Sequence, residues 1–136
     1  MITYDNPDKQ SALQAKFEAQ KIAFAPVVFQ AAIAMRDLGI LELLYKSKEA
    51  GITAEAISEK LGISLYGVKT LLEMGLSSGM ARLVDNTYFI TKTGFFLLKD
   101  ELTRVNINFI NDVCYKGLFD LKDAIVNEKP AGLKVL

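Results

Sequence analysis

At 136 residues, with 51% apolar residues and 16 basic side chains set against 16 acidic ones, the chain has the size of one domain that can bury roughly two thirds of its unfolded surface. A formal net charge of zero offers no overall attraction to a polyanion, whereas nucleic-acid binders carry a basic excess on at least one face. One cysteine, Cys114, and no histidine exclude an internal disulfide and a Cys/His metal cluster, so no metal is expected and a reducing compartment fits.

The opening MITYDNPDKQ is polar and has no basic stretch leading into an apolar one. No signal peptide is expected, and the expected location is the cytoplasm. From Asp8 to Phe24, the apolar positions Leu13, Phe17 and Phe24, with Ala12, Ala15, Ala19 and Ala23 between them, predict a helix beginning after NPD. Residues 1–24 thus form an N-terminal helical arm. Pro26 suits the first turn of a second helix, where its missing N–H is not needed, and that helix stops at Gly39. The apolar run from Ile22 to Met35 is shorter than the roughly 18–20 residues that span a bilayer, and Pro26 and Gln30 interrupt it, so no membrane partner is expected. ILELLYKSK makes a third helix ending near Gly51.

Thr53 caps a short helix through Lys60, with Ala56, Ile57 and Leu61 inward and Gly62 as its stop. Ser64 caps the next helix, whose inward face is Leu65, Val68, Leu71, Leu72 and Leu76, and Ser77 to Gly79 close it. Strands are predicted at Ala81 to Val84 and Thr87 to Ile90 about a tight Asp85-Asn86 turn. Two helices and a hairpin make a winged helix, so residues 25–100 read as helices plus a winged helix. TKTGFFLLKD adds a short helical turn. A last long helix, Val105 to Asn127, carries Ile107, Ile110, Val113, Cys114, Leu118, Leu121 and Ile125 at helical spacing, with a kink allowed at Gly117 and Cys114 on a buried face. NEKPAGLKVL breaks it and forms no further element. The predicted fold class is mainly α: a winged helix-turn-helix with a short β-hairpin wing and extra N- and C-terminal helices.

A recognition helix reads DNA through its first turns, which here hold Leu65, Tyr66, Gly67, Lys69, Thr70 and Glu73. Across Gly51 to Gly94, Lys60, Lys69, Arg82 and Lys92 are offset by Glu55, Glu59, Glu73 and Asp85, and the wing tip is acidic where phosphate would want a cation. The core of the motif is kept without a basic surface. No nucleic-acid partner is expected, and a winged-helix transcription regulator binding DNA as a dimer stands as the alternative function.

The order FQAAIAMRDLGILELL, GITAEAISEKLGIS, LLEMGLSSGMARLVDNTYFITKTG, GLFDLKDAIVNEKP resembles the N-terminal domain of S-adenosylmethionine-dependent O-methyltransferases of small molecules, over roughly Ala25 to Pro130. In that family, helices ending in a Leu-Gly-Ile/Val-Phe-like phrase lead into a winged helix used for dimerisation. A Thr-x-x-Gly phrase follows, matched by Thr91 to Gly94, and then a helix with bulky residues before a Gly/Lys-Pro exit, matched by Phe119, Leu121 and Lys129-Pro130. The family's chemistry lies in a C-terminal Rossmann-like domain with a Gly-rich cofactor loop, an acid for the ribose and usually a His base. This chain has no His and no Gly-x-Gly, so no catalytic, cofactor-binding or metal residue carries over.

What the resemblance implies is a dimerisation and substrate-capping domain present without its catalytic domain, and a homodimer. S-adenosylmethionine would serve the full-length parent without being bound by this chain, and the acceptor would be a small hydroxylated molecule, aromatic or polyketide-like. Residues 101–130 become a post-wing dimerisation helix, and 131–136 the start of a linker to the missing domain. Phe24, Val27, Val28, Phe29 and Ile33 are then either a fully buried central helix or, with the last long helix, an intertwined dimer interface. Asn106, Asn108, Asn111 and Asp112 are solvated helix positions or pocket-lining ones, and Phe109, Tyr115 and Phe119 are the expected substrate-facing side chains.

Overall fold

Ser11 begins the first element of the computed structural model, which describes residues 4–136; the first three residues of the predicted arm lie outside them. The Ser11 hydroxyl accepts the Gln14 N–H and starts helix α1 at Ala12–Ala23. The start falls later than the NPD phrase suggested because Asp8 accepts the Gln10 N–H in a local turn that competes with helix. Helix α2, Ala25–Leu38, opens with Pro26 in its first turn and ends at Gly39, whose φ of 101° only glycine adopts easily. Helix α3, Ile40–Ser47, follows at once.

Thr53 and Ser64 cap as expected, each side-chain oxygen accepting a backbone N–H three residues on, and between them they set α4 (Ala54–Leu61) and α5 (Leu65–Ser77). The hairpin of β2 (Ala81–Val84) and β3 (Thr87–Ile90) turns at Asp85 and Asn86, with φ of 48° and 63°. Positive φ at both turn residues is the mirror-type turn that matches strand twist. A third strand not expected from the sequence, β1 (Ile52–Thr53), pairs antiparallel with β3 through Ile52 and Tyr88. The sheet order is β1-β3-β2. Two residues show no alternation, so only the partner strand defines β1.

Thr91 caps α6 (Lys92–Lys99), a full helix rather than a single turn. Asp100 caps α7 (Glu101–Phe109). The predicted long helix is broken: after α7 come a π turn at Ile110–Cys114, a 3-10 turn at Gly117–Asp120 and helix α8 at Leu121–Asn127. NEKPAGLKVL does form an element, a 3-10 turn at Ala131–Val135. The architecture is mainly α with a hairpin wing and extra helices at both ends.

The core gathers the C-terminal half of α2 with α3, α4, α5 and the sheet around Met35, Ile40, Leu41, Leu44, Ile57, Leu72 and Met80. On α4 the buried residues are Ala54 and Ile57, while Ala56 and Leu61 are half-buried, because the last turn of α4 lies at the edge of this core. Leu65 is exposed: as the first residue of α5 it projects beyond the layer that Val68 and Leu72 fill. Cys114 is half-buried, since the π turn shifts the helical phase and leaves no buried face there. Gly94 is required where α6 meets the hairpin, as a Cβ there would run into the Met80 carbonyl.

Candidate functional site

Three helical faces remain uncovered around the closed core. Helix α1 has no buried residue at all. Leu13, Phe17 and Phe24 lie along one side and Ile22 along the other, with Leu13 80% and Ile22 78% exposed. A second uncovered face is Leu102, Val105, Phe109 and Val113 on α7 and the π turn, and a third is Leu118, Leu121, Ile125 and Val126 at α8. Large apolar side chains gathered on a helix face and left exposed are the mark of an interaction surface.

The five residues singled out on α2 divide. Phe24 and Val27 face outward. Val28 packs against the core, Phe29 is half-buried, and Ile33 is only 8% exposed, so it is committed to packing within the chain. Five neighbours on a helix cannot share one face, and the phase is set by the packing of α2 on α3 and α5.

The aromatic trio divides as well. Tyr115 is not free: its ring stacks on Phe29 with centroids 5.3 Å apart and planes 10° from parallel. Its hydroxyl donates to the Pro26 carbonyl at 3.0 Å. Beside it the Gln30 amide donates to the Asn111 side-chain oxygen at 3.0 Å. These contacts clasp the π turn to the first turns of α2, and the Tyr115 N–H reaches back to the Ile110 carbonyl at 2.7 Å to make that turn. Phe109 is half exposed and Phe119 is 93% exposed, and neither stacks on another ring among the described residues. Asn111 therefore serves the clasp, a role that spacing alone does not reveal. Gln30, Asn111, Asp112, Tyr115 and Lys116 line an open cavity of about 710 Å³ at this place.

On the helix-turn-helix, the Lys69 ammonium lies 4.0 Å from a Glu55 carboxylate oxygen, and the Arg82 guanidinium rests 4.4 Å from the Phe89 ring centroid. Tyr66 stands free at 83% exposure in the first turn of α5. At the corner between α6 and α7, the Asp100 carboxyl is held below the usual carboxylate range by hydrogen bonds from the Thr103 hydroxyl and then the Thr103 N–H. Among the described residues no group of three acidic, Cys or His side chains could hold a metal, and no helix is long and apolar enough to cross a membrane.

The family model of the Dimerisation2-like domain matches residues 16–88. No curated protein matches the sequence. Among solved structures, the apo form of the S-adenosylmethionine-dependent methyltransferase SibL superposes with a TM-score of 0.72 at 21% identity, over 84% of this chain and 34% of that one. PigF with SAH matches with a TM-score of 0.66 at 22% identity, over 82% and 33%. Human N-acetylserotonin methyltransferase in complex with SAM matches at 0.63 and 19% identity, over 88% and 36%. The chain thus spans about a third of the length of these structures, and the shared feature is the fold.

Proposed function

The chain belongs to the Dimerisation2-like domain family, and from that membership we propose that it is the homodimerising, substrate-capping part of an S-adenosylmethionine-dependent methyltransferase of a small molecule. The observation that carries the reading is the contrast between a closed core and uncovered apolar faces on α1, α7 and α8. Two copies related by a two-fold axis hide such faces from water at about 25 cal/mol per Å² of apolar area. Phe24 and Val27 meet the partner in this reading. Val28, Phe29 and Ile33 stand behind them and fix the height of α2. Phe109 and Phe119 face the acceptor, a hydroxylated aromatic or polyketide-like molecule methylated on oxygen, and Tyr115 positions the broken helical segment that carries them. The site of action is the cytoplasm.

The methyl donor does not fit the described residues. A nucleoside cofactor of this size is held where a strand runs through a glycine-rich turn into a helix N-terminus. The sheet here is antiparallel, its strands are two to four residues long, and none enters a helix through such a turn. Titration of this chain with S-adenosylmethionine should give no saturable heat at micromolar concentrations. A glycine-rich loop encoded within the next hundred or so residues past Leu136 would supply the parent's cofactor site.

The surface of the helix-turn-helix supports a protein role over duplex DNA. Lys69 is engaged by Glu55, Arg82 lies against Phe89, and the wing tip is Asp85-Asn86. Fluorescence anisotropy with random duplex at 50 and 200 mM salt should show weak binding at both; tight binding with a steep salt slope, lost in Lys69→Glu, would reinstate the regulator.

The principal test is sedimentation at micromolar concentrations. The wild type should run as a dimer and Ile22→Asp, at an exposed position of α1, as a folded monomer. Val28→Asp is the poorer choice because that side chain also packs on the core. A wild-type monomer at tens of micromolar would remove the proposal.

A further inference from the structure

Glycine at positions 117 and 132 is not explained by backbone conformation. Neither takes a left-handed φ, and Gly117 opens a helical turn, where glycine is about 1 kcal/mol worse than alanine. The two positions are explained by each other. A Cβ on Gly117 would stand 2.9 Å from the Gly132 carbonyl oxygen, and a Cβ on Gly132 would stand 2.8 Å from the Gly117 carbonyl oxygen. The chain crosses itself here, backbone on backbone. Two ion pairs tie the same segment, Lys134 to Asp120 at 3.3 Å and Lys129 to Asp123 at 3.7 Å.

Upstream, the chain is tied to a different body. Tyr115 is clasped to Phe29 and Pro26 on α2, so only Lys116 separates the last residue fastened to α2 from the first one fastened to the tail. No residue from 117 to 136 is buried, and the open cavity near Gln30 and Asn111 is also lined by Val135 and Leu136. The local sequence has its own preference: Ile107, Ile110, Cys114, Leu118, Leu121 and Ile125 keep helical spacing straight through the bend. Local periodicity favours one continuous helix, and the glycine crossing favours the bend. Two packings of one segment that differ by a few kcal/mol are what a hinge needs.

We propose that residues 117–136 form a hook, latched shut by the crossing of Gly117 and Gly132, that opens when the crossing parts, its released state being a helix that continues α7 through α8. The latch is steric and needs no ligand. It holds the turn at Ala131–Val135 back against the turn at Gly117–Asp120.

Amide exchange resolved by NMR on the whole chain tests this, with Gly132→Ala and Gly117→Ala compared at one oligomeric state. In Gly132→Ala the added Cβ parts the crossing, so the Leu133 and Leu136 amides should exchange at least about tenfold faster, and protection across α8 should change with them. Amides of α3 and α5 should keep their rates. In Gly117→Ala the tail should be released in the same way, while amides from 115 to 121 gain protection as the helix runs through. Unchanged tail exchange in both variants would show that the crossing is no latch. Faster exchange from 115 to 121 in Gly117→Ala would remove the straight state, and lost protection in α3 or α5 would show that the hook is not a separate body.

Discussion

Every buried residue among those described lies between Ala31 and Gly94, and none lies in α1 or from Asp100 onward. Both regions are rich in Leu, Ile, Val and Phe, yet in one these side chains enclose each other and in the other they stay open. The central helices α2 to α5 pack on one another and on the sheet; α1 packs on α2, and the segment after α6 touches α6, α2 and itself without enclosing a side chain. Apolar content decides that surface will be buried, and topology decides whether the chain can do so alone.

The largest way to break this contrast is to open the enclosed region. Leu72→Ala removes a side chain with no exposure and should cost about 2–5 kcal/mol, read from the urea midpoint, at protein concentrations where association plays no part. An equal change in the outer region should behave differently. Val27→Asp, on the outward side of α2, should leave the unfolding free energy of the dilute chain within about 0.5 kcal/mol while weakening association at least tenfold, about 1.4 kcal/mol, by sedimentation equilibrium. If Val27→Asp instead lowered the dilute-chain stability by several kcal/mol, the two regions would not be distinct.

A smaller effect concerns Glu128, which ends α8 in the left-handed region at φ 50° and ψ 46°. Glycine is the residue suited to this place, and Glu128→Gly should stabilise the local fold by about 1 kcal/mol, seen as slower exchange of α8 amides with the central helices unaffected. The smallest effect is Asp100. Its folded pKa is lowered by the Thr103 hydroxyl and N–H, so its contribution is present above the unfolded pKa and is lost as pH falls through the lower folded value. Acid should therefore loosen the α6/α7 corner, with the Thr103 amide shift as the readout, and Asp100→Asn should abolish that titration.

Much of the enclosed region was legible in the sequence because its boundaries are local. Thr53, Ser64 and Thr91 cap through their own side chains, Gly39 and Gly62 stop helices by their own conformation, and Asp85-Asn86 turns the hairpin by itself. Strand β1 was not legible, because Ile52 becomes a strand only by meeting Tyr88. The break after α7 was legible only at Gly117, where a kink was allowed; the π turn before it is held by Tyr115 reaching Pro26, a contact 89 residues apart in sequence. At the candidate site, Phe24 and Val27 were assigned a face that the structure leaves open, whereas the inward turn of Val28 and Ile33 required knowing what α2 packs on. Leu13 and Phe17 carried the right periodicity, but periodicity does not say whether the neighbour belongs to the same molecule.

The position of the closed core along the chain also sets an order of events during synthesis. Chains fold from the N-terminus as they emerge, and α1 emerges ahead of the core with exposed apolar side chains and no buried residue. The core can close once α6 is out, in a unimolecular step dominated by contacts near in sequence, which are the fast ones. The arm has no such step of its own. In the proposed dimer its burial is second order in chain concentration, so neighbouring nascent chains on one messenger would complete it sooner than chains released singly into dilute solution.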